Sequence, residues 1–153
     1  MVKYHNAMVV FEEIPDEITL AINITNCPCK CNGCHSKFLW DDIGTELTND
    51  ELDRMVDRER GITCVCFMGG DREPKYIEEL SKHIKSKYDT IKTAWYSGMD
   101  DISSEVDICS FDYIKIGHYD EDKGPLNKET TNQKLFKIDG GVIENITNRF
   151  WKR

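Results

Sequence analysis

A chain of 153 residues with 39% hydrophobic and 31% charged residues is long enough to bury one apolar core and too apolar for a disordered polymer. Its formal charge of −8 argues against a nucleic-acid partner, whose phosphates call for a concentrated basic surface, and no apolar stretch reaches the length of a membrane-spanning helix. The start, Met1-Val2-Lys3-Tyr4-His5-Asn6, lacks a basic region followed by an apolar one, so no secretory signal is read and a cytoplasmic location is expected.

No repeat, low-complexity tract or linker interrupts the chain, which reads as a single domain over residues 1–153. Residues 8–11 read as a first strand, with a turn at Pro15-Asp16, and residues 18–25 as a second, rich in β-branched side chains. A cysteine-rich loop follows at once. Thr48-Asn49-Asp50 has helix-capping chemistry, with Leu52, Met55 and Val56 on one face of the helix and Gly61 at its end. Residues 62–68 form an apolar strand suited to burial on both faces, Gly69-Gly70-Asp71 a turn, and Pro74 the start of a second helix whose Ile77, Leu80 and Ile84 recur at helical spacing.

Residues 93–96 and 113–116 read as further short strands, leading to Gly98 and Gly117. Residues 135–138 and 142–146 flank Asp139-Gly140-Gly141, a hairpin signal. The basic tail Arg149-Phe150-Trp151-Lys152-Arg153 reads as a segment docked through its aromatic residues. Alternation of strands and helices predicts an α/β fold with mostly parallel strands. In such folds sites gather at the carboxyl ends of the strands, where the cysteine loop, the Gly-Gly turn, Ser97-Gly98 and Gly117 would converge.

Of seven cysteines, four fall within eight residues, Cys27-Pro28-Cys29-Lys30-Cys31-Asn32-Gly33-Cys34. An odd count in a reducing compartment does not read as a disulfide framework. Two metal readings are open. Zinc takes four ligands, but structural sites draw two separated pairs, and the second pair offered is Cys64 and Cys66, inside an apolar strand where alternation favours packing. Alternatively, Cys27, Cys31 and Cys34 give one thiolate to each of three irons of a [4Fe-4S] cluster and leave the fourth open, which suits catalysis better than electron storage on four cysteines. Cys29 is an additional thiol able to substitute for Cys27 or Cys31. No role is assigned to Cys109.

The C-x3-C-x2-C spacing directly after a strand resembles that of the radical S-adenosylmethionine enzymes. Cys31-Asn32-Gly33-Cys34-His35-Ser36, Phe67-Met68-Gly69-Gly70-Asp71, Trp95-Tyr96-Ser97-Gly98, Asp112-Tyr113-Ile114-Lys115-Ile116-Gly117 and Thr131-Asn132-Gln133-Lys134-Leu135 are similar to segments of one branch, the anaerobic ribonucleoside-triphosphate reductase activating proteins. Phe11-Glu12-Glu13-Ile14-Pro15-Asp16 stands where activating enzymes often carry an Asn-Gly-Pro-Gly-like stretch.

The resemblance implies a small incomplete (β/α) barrel, a [4Fe-4S] cluster on Cys27, Cys31 and Cys34, and S-adenosylmethionine contacted by Gly33, Cys34, His35, Gly69, Gly70, Asp71 and Ser97. It further implies a glycyl radical generated on the large subunit of anaerobic ribonucleotide reductase and a flavodoxin-like electron donor. His118 and Tyr119 are candidates for touching substrate. Asp71 is equally a candidate helix N-cap, and His35 a packing or solvent-facing residue. Activation of another glycyl-radical enzyme, radical chemistry on a small molecule, and a non-catalytic zinc or iron–sulfur module are the alternatives.

Overall fold

The computed structural model of the chain describes residues 1–29 and 37–151, with Phe38 described through its backbone alone. Eight strands form one sheet in the order β3-β1-β2-β4-β5-β6-β7-β8. They are β1 Lys3–Val10, β2 Thr19–Ile24, β3 Thr45–Glu46, β4 Cys64–Met68, β5 Lys92–Tyr96, β6 Tyr113–Ile116, β7 Lys134–Asp139 and β8 Val142–Asn145, with helices α1 Asn49–Arg58 and α2 Pro74–Lys87. No described helix is long and apolar enough to cross a membrane.

The expectation of mostly parallel strands is corrected. The central pairings β2 to β4, β4 to β5 and β5 to β6 are parallel, but the four outer pairings are antiparallel. A parallel pair needs a crossover, and the described residues hold two α-helices, α1 and α2. The remaining strands are added mainly by reversal, through the turn at Pro15-Asp16 and the Gly140-Gly141 hairpin. The described strands form an open sheet with β3 and β8 at its ends, so the pairing gives a mixed α/β class rather than the expected barrel.

Local chemistry explains the helices. Thr48 is the N-cap of α1, its hydroxyl accepting from the Glu51 N–H at 3.1 Å. Pro74 opens α2, where its missing N–H costs nothing. Both helices cover one face of the sheet, packing Leu52, Met55, Ile77, Leu80 and Ile84 with Leu20, Ile22, Val65, Phe67, Trp95 and Ile114 of the strands. Strand alternation sends Cys64, Cys66, Ala94 and Tyr113 to the other face, against Ile14, Leu135 and Ile146. Phe150 packs there too, and the Trp151 indole donates to the Leu126 carbonyl at 2.9 Å, so the tail is docked through its aromatic residues as expected. Lys152 and Arg153 lie outside the described residues.

At the amino ends of the parallel strands the buried Glu17 carboxylate accepts from Thr63 Oγ1 at 2.6 Å, Tyr113 Oη at 2.7 Å and Lys92 Nζ at 3.0 Å. Burial alone would raise this carboxyl, but the three donors outweigh it and hold it below its ordinary value. A depressed folded value means that the clamp's full contribution is present above the unfolded value, about 4.3. It is lost as pH falls through the lower folded one. Glu17→Gln should therefore lower stability at neutral pH and flatten the acid limb, as read from denaturant midpoints taken from neutral to strongly acid solution. An unchanged acid limb would show that the clamp does not contribute.

At the other end Gly70 has φ +86°, and a Cβ there would stand 2.5 Å from Cδ1 of the fully buried Ile77. Gly70→Ala should cost about 1–3 kcal/mol through overpacking, visible as a lower denaturant midpoint at unchanged m. A midpoint equal to the parent's would mean that Ile77 yields freely.

Candidate functional site

Because β2, β4, β5 and β6 run parallel, they leave the sheet at one rim. On the face opposite the helices a cavity of about 270 Å³ lies under that rim. Its walls include Asn23 and Ile24 from β2, Met68 and Gly69 from the exit of β4, Tyr96 and Gly98 from the exit of β5, and Lys115 and Gly117 from β6. Cys27, Cys29, Leu39 and Trp40 close it on the cysteine side, and Tyr119 and Gln133 opposite. A larger hollow of about 420 Å³ shares Asp71 with it, but among the described residues its wall, which includes Asp100, Asp101, Ile102 and Glu105, offers no thiol.

The cysteine loop is tied at its neck. Asn26 N–H donates to the Asp41 carbonyl and Cys27 N–H to that of Leu39, both at 2.9 Å. Arg72 Nε also donates to the Asn26 carbonyl at 2.8 Å. Asn26 takes φ 61°, a left-handed conformation that asparagine tolerates better than most residues. Cys27 is therefore held against the segment that leaves the loop. Cys31, Cys34, Gly33 and His35 lie outside the described residues.

Asp71 joins the turns that follow β4 and β5. Its carboxylate accepts from Ser97 Oγ at 2.5 Å and from Gly98 N–H at 2.9 Å, and Cys29 Sγ lies 3.9 Å from Oδ2. It is not the N-cap of α2, a position held by Glu73 without a side-chain bond. Gly98 leaves room for Cys29, since a Cβ there would approach Sγ to 2.6 Å. Gly69 and Asp71 line the cavity. Gly70 and Ser97 are buried behind its wall, Gly70 under α2 and the Ser97 hydroxyl on Asp71.

Lys115, Gln133 and Trp40 were not singled out in the sequence. Lys115 Nζ donates to Gln133 Oε1 at 2.9 Å and to the Gly117 carbonyl at 3.1 Å, and lies 5.4 Å from the Tyr96 ring centre. A lysine in the strand Tyr113-Ile114-Lys115-Ile116 was the available signal: alternation puts it on the face of Tyr113, away from the helices. Gln133 stood within a segment already noted, but nothing local marked its side chain. Tyr119 reaches the cavity, whereas the exposed His118 pairs its Nδ1 with Asp100 Oδ1 at 2.7 Å. That contact holds the Asp100 carboxyl below its usual range.

The wall suits an iron–sulfur cluster. A thiol side chain, apolar Ile24, Leu39 and Met68, and the cationic Lys115 together favour a compact anionic thiolate complex. The indole N–H of Trp40 is buried without an acceptor among the described residues. Cys64 and Cys66 take no part: both are buried outside the cavity wall, and burial pushes their thiols up, away from the thiolate form a metal needs. They do not supply the second zinc pair.

Asp71→Ala would leave the Ser97 hydroxyl and Gly98 N–H without this acceptor. A loss of about 1–3 kcal/mol is expected, with a smaller one for Asp71→Asn, which retains one oxygen. Equal midpoints for parent and alanine variant in denaturant would refute the structural role.

A family model described as a 4Fe-4S single cluster domain matches residues 18–138, from the second strand through most of β7. No curated protein and no solved structure matches the chain.

Proposed function

The chain belongs to the family of 4Fe-4S single cluster domains, and from that membership we propose that it is a radical S-adenosylmethionine activating enzyme. Its substrate is the large subunit of anaerobic ribonucleotide reductase, on which it generates a glycyl radical, with a flavodoxin-like protein as electron donor. The observation that carries this reading is the meeting of Cys27 with Gly69 and Asp71 around one cavity at the exits of parallel strands, taken with the C-x3-C-x2-C spacing.

In this reading Cys27, Cys31 and Cys34 hold the cluster and leave one iron without a protein ligand. When bound, the cluster and S-adenosylmethionine supply one-electron cleavage of a sulfonium, giving methionine and a 5′-deoxyadenosyl radical. The chain's own residues bind and orient. Gly33, Cys34, His35, Gly69 and Asp71 contact the cofactor, while Gly70 and Ser97 support that surface from behind. The Gly69 carbonyl accepts from the Trp95 indole at 2.7 Å, and this bond fixes the turn that would meet the cofactor. Cys29 is no ligand in this assignment, and its Sγ lies beside the Asp71 carboxylate, 3.9 Å from Oδ2.

The test is anaerobic reconstitution followed by mixing of the reduced protein with S-adenosylmethionine and the reductase. About four irons per chain are expected for the cubane, together with 5′-deoxyadenosine and a glycyl signal in electron paramagnetic resonance. Single changes of Cys27, Cys31 or Cys34 to alanine should abolish both products, and Cys29→Ala should retain them. Four irons without cofactor cleavage would identify a non-catalytic iron–sulfur module. Cleavage without the glycyl signal would point to a different substrate.

A further inference from the structure

The chain contains three tryptophans, and their indole donors fare differently. Trp95 Nε1 donates to the Gly69 carbonyl at 2.7 Å and Trp151 Nε1 to the Leu126 carbonyl at 2.9 Å. Trp40 Nε1 is buried and finds no acceptor among the described residues. A buried donor left unpaired costs about 1–3 kcal/mol, so an orphan of this kind marks a place where an acceptor belongs.

Trp40 stands where such an acceptor would arrive. It ends the short 3-10 helix Lys37–Trp40, follows directly after Leu39, whose carbonyl binds the Cys27 N–H, and precedes Asp41, whose carbonyl binds Asn26 N–H. It is thus fixed beside the neck of the cysteine loop, and it lines the same cavity as Cys27. Lys37 Nζ lies 5.9 Å from its ring centre. A cation over the ring draws on its electron density and strengthens the N–H as a donor.

We propose that the Trp40 indole N–H donates a hydrogen bond to the sulfur shell of the cluster, a sulfide or a ligating thiolate, and thereby raises its reduction potential. Donors to cluster sulfurs stabilise the more negative, reduced state, and the potential of an iron–sulfur centre follows their number. This inference rests on the iron–sulfur part of the reading above and does not involve S-adenosylmethionine.

The experiment compares the reconstituted protein with Trp40→Phe, which keeps an aromatic ring and removes the donor. Both are examined without S-adenosylmethionine by redox titration and by pulsed paramagnetic resonance of the reduced cluster in H2O and D2O. The variant should load the same iron and titrate at a lower potential, a tenfold change in the reduction equilibrium corresponding to about 59 mV for one electron. It should also lose an exchangeable-proton coupling that the parent shows. Equal potentials and equal couplings at equal iron content would overturn the proposal. Should the variant fail to load, parent protein grown with 15N-indole tryptophan decides: a nitrogen coupling to the cluster supports the bond and its absence overturns it. A cluster that behaves as described here but cleaves no cofactor refutes the activase reading alone. A protein that assembles no four-iron cluster overturns both.

Discussion

Parallel pairing of β2 with β4, β4 with β5 and β5 with β6 forces four successive chain exits onto one rim, and the core of the candidate site follows from that constraint. The cysteine loop leaves β2, the Gly69-Gly70-Asp71 turn leaves β4, Ser97-Gly98 leaves β5 and Gly117 leaves β6. None of these segments is close to another in sequence. Their shared exit is what makes a cavity out of four turns. The opposite ends are gathered by one carboxylate, Glu17, bonded to residues at or just before the starts of β4, β5 and β6. The sheet is thus secured at the end away from the site, while its rim is left to loops.

Within the rim the bonds are unequal in kind. The neck of the cysteine loop is joined by two backbone pairs, with the Arg72 side chain on the Asn26 carbonyl beside them. The joint between the turns after β4 and β5 runs through the Asp71 side chain. That joint depends on a single side chain. Cys29, packed against Gly98 and beside Asp71, links the two arrangements.

Segments with strong period or local chemistry were legible in the sequence. Residues 62–68, the capped helix after Thr48, the helix after Pro74 and the Gly140-Gly141 hairpin are elements whose stability arises from their own pattern. The convergence at the carboxyl ends was legible too, because it follows from the order of strands and turns. What escaped has tertiary causes. β3 is two exposed residues with no apolar pattern, and exists only through pairing with Lys3 and Tyr4. Alternation of helices and strands suggested mostly parallel pairing, although the outer pairings on both flanks are antiparallel. Asp71 has the chemistry of a local cap, yet its carboxylate reaches residues 26 and 27 positions further along. Trp40 resembles any apolar residue until its neighbours are known.

The burial of Cys64 and Cys66 bears on how a cofactor would be acquired. Seven thiols in a short chain offer incoming iron many wrong combinations, each a dead end for maturation. In the folded chain these two are withdrawn from that competition, since both are sealed within the sheet and disfavoured as thiolates. Fidelity of assembly is then a property of the fold, achieved by hiding sulfur as much as by presenting it.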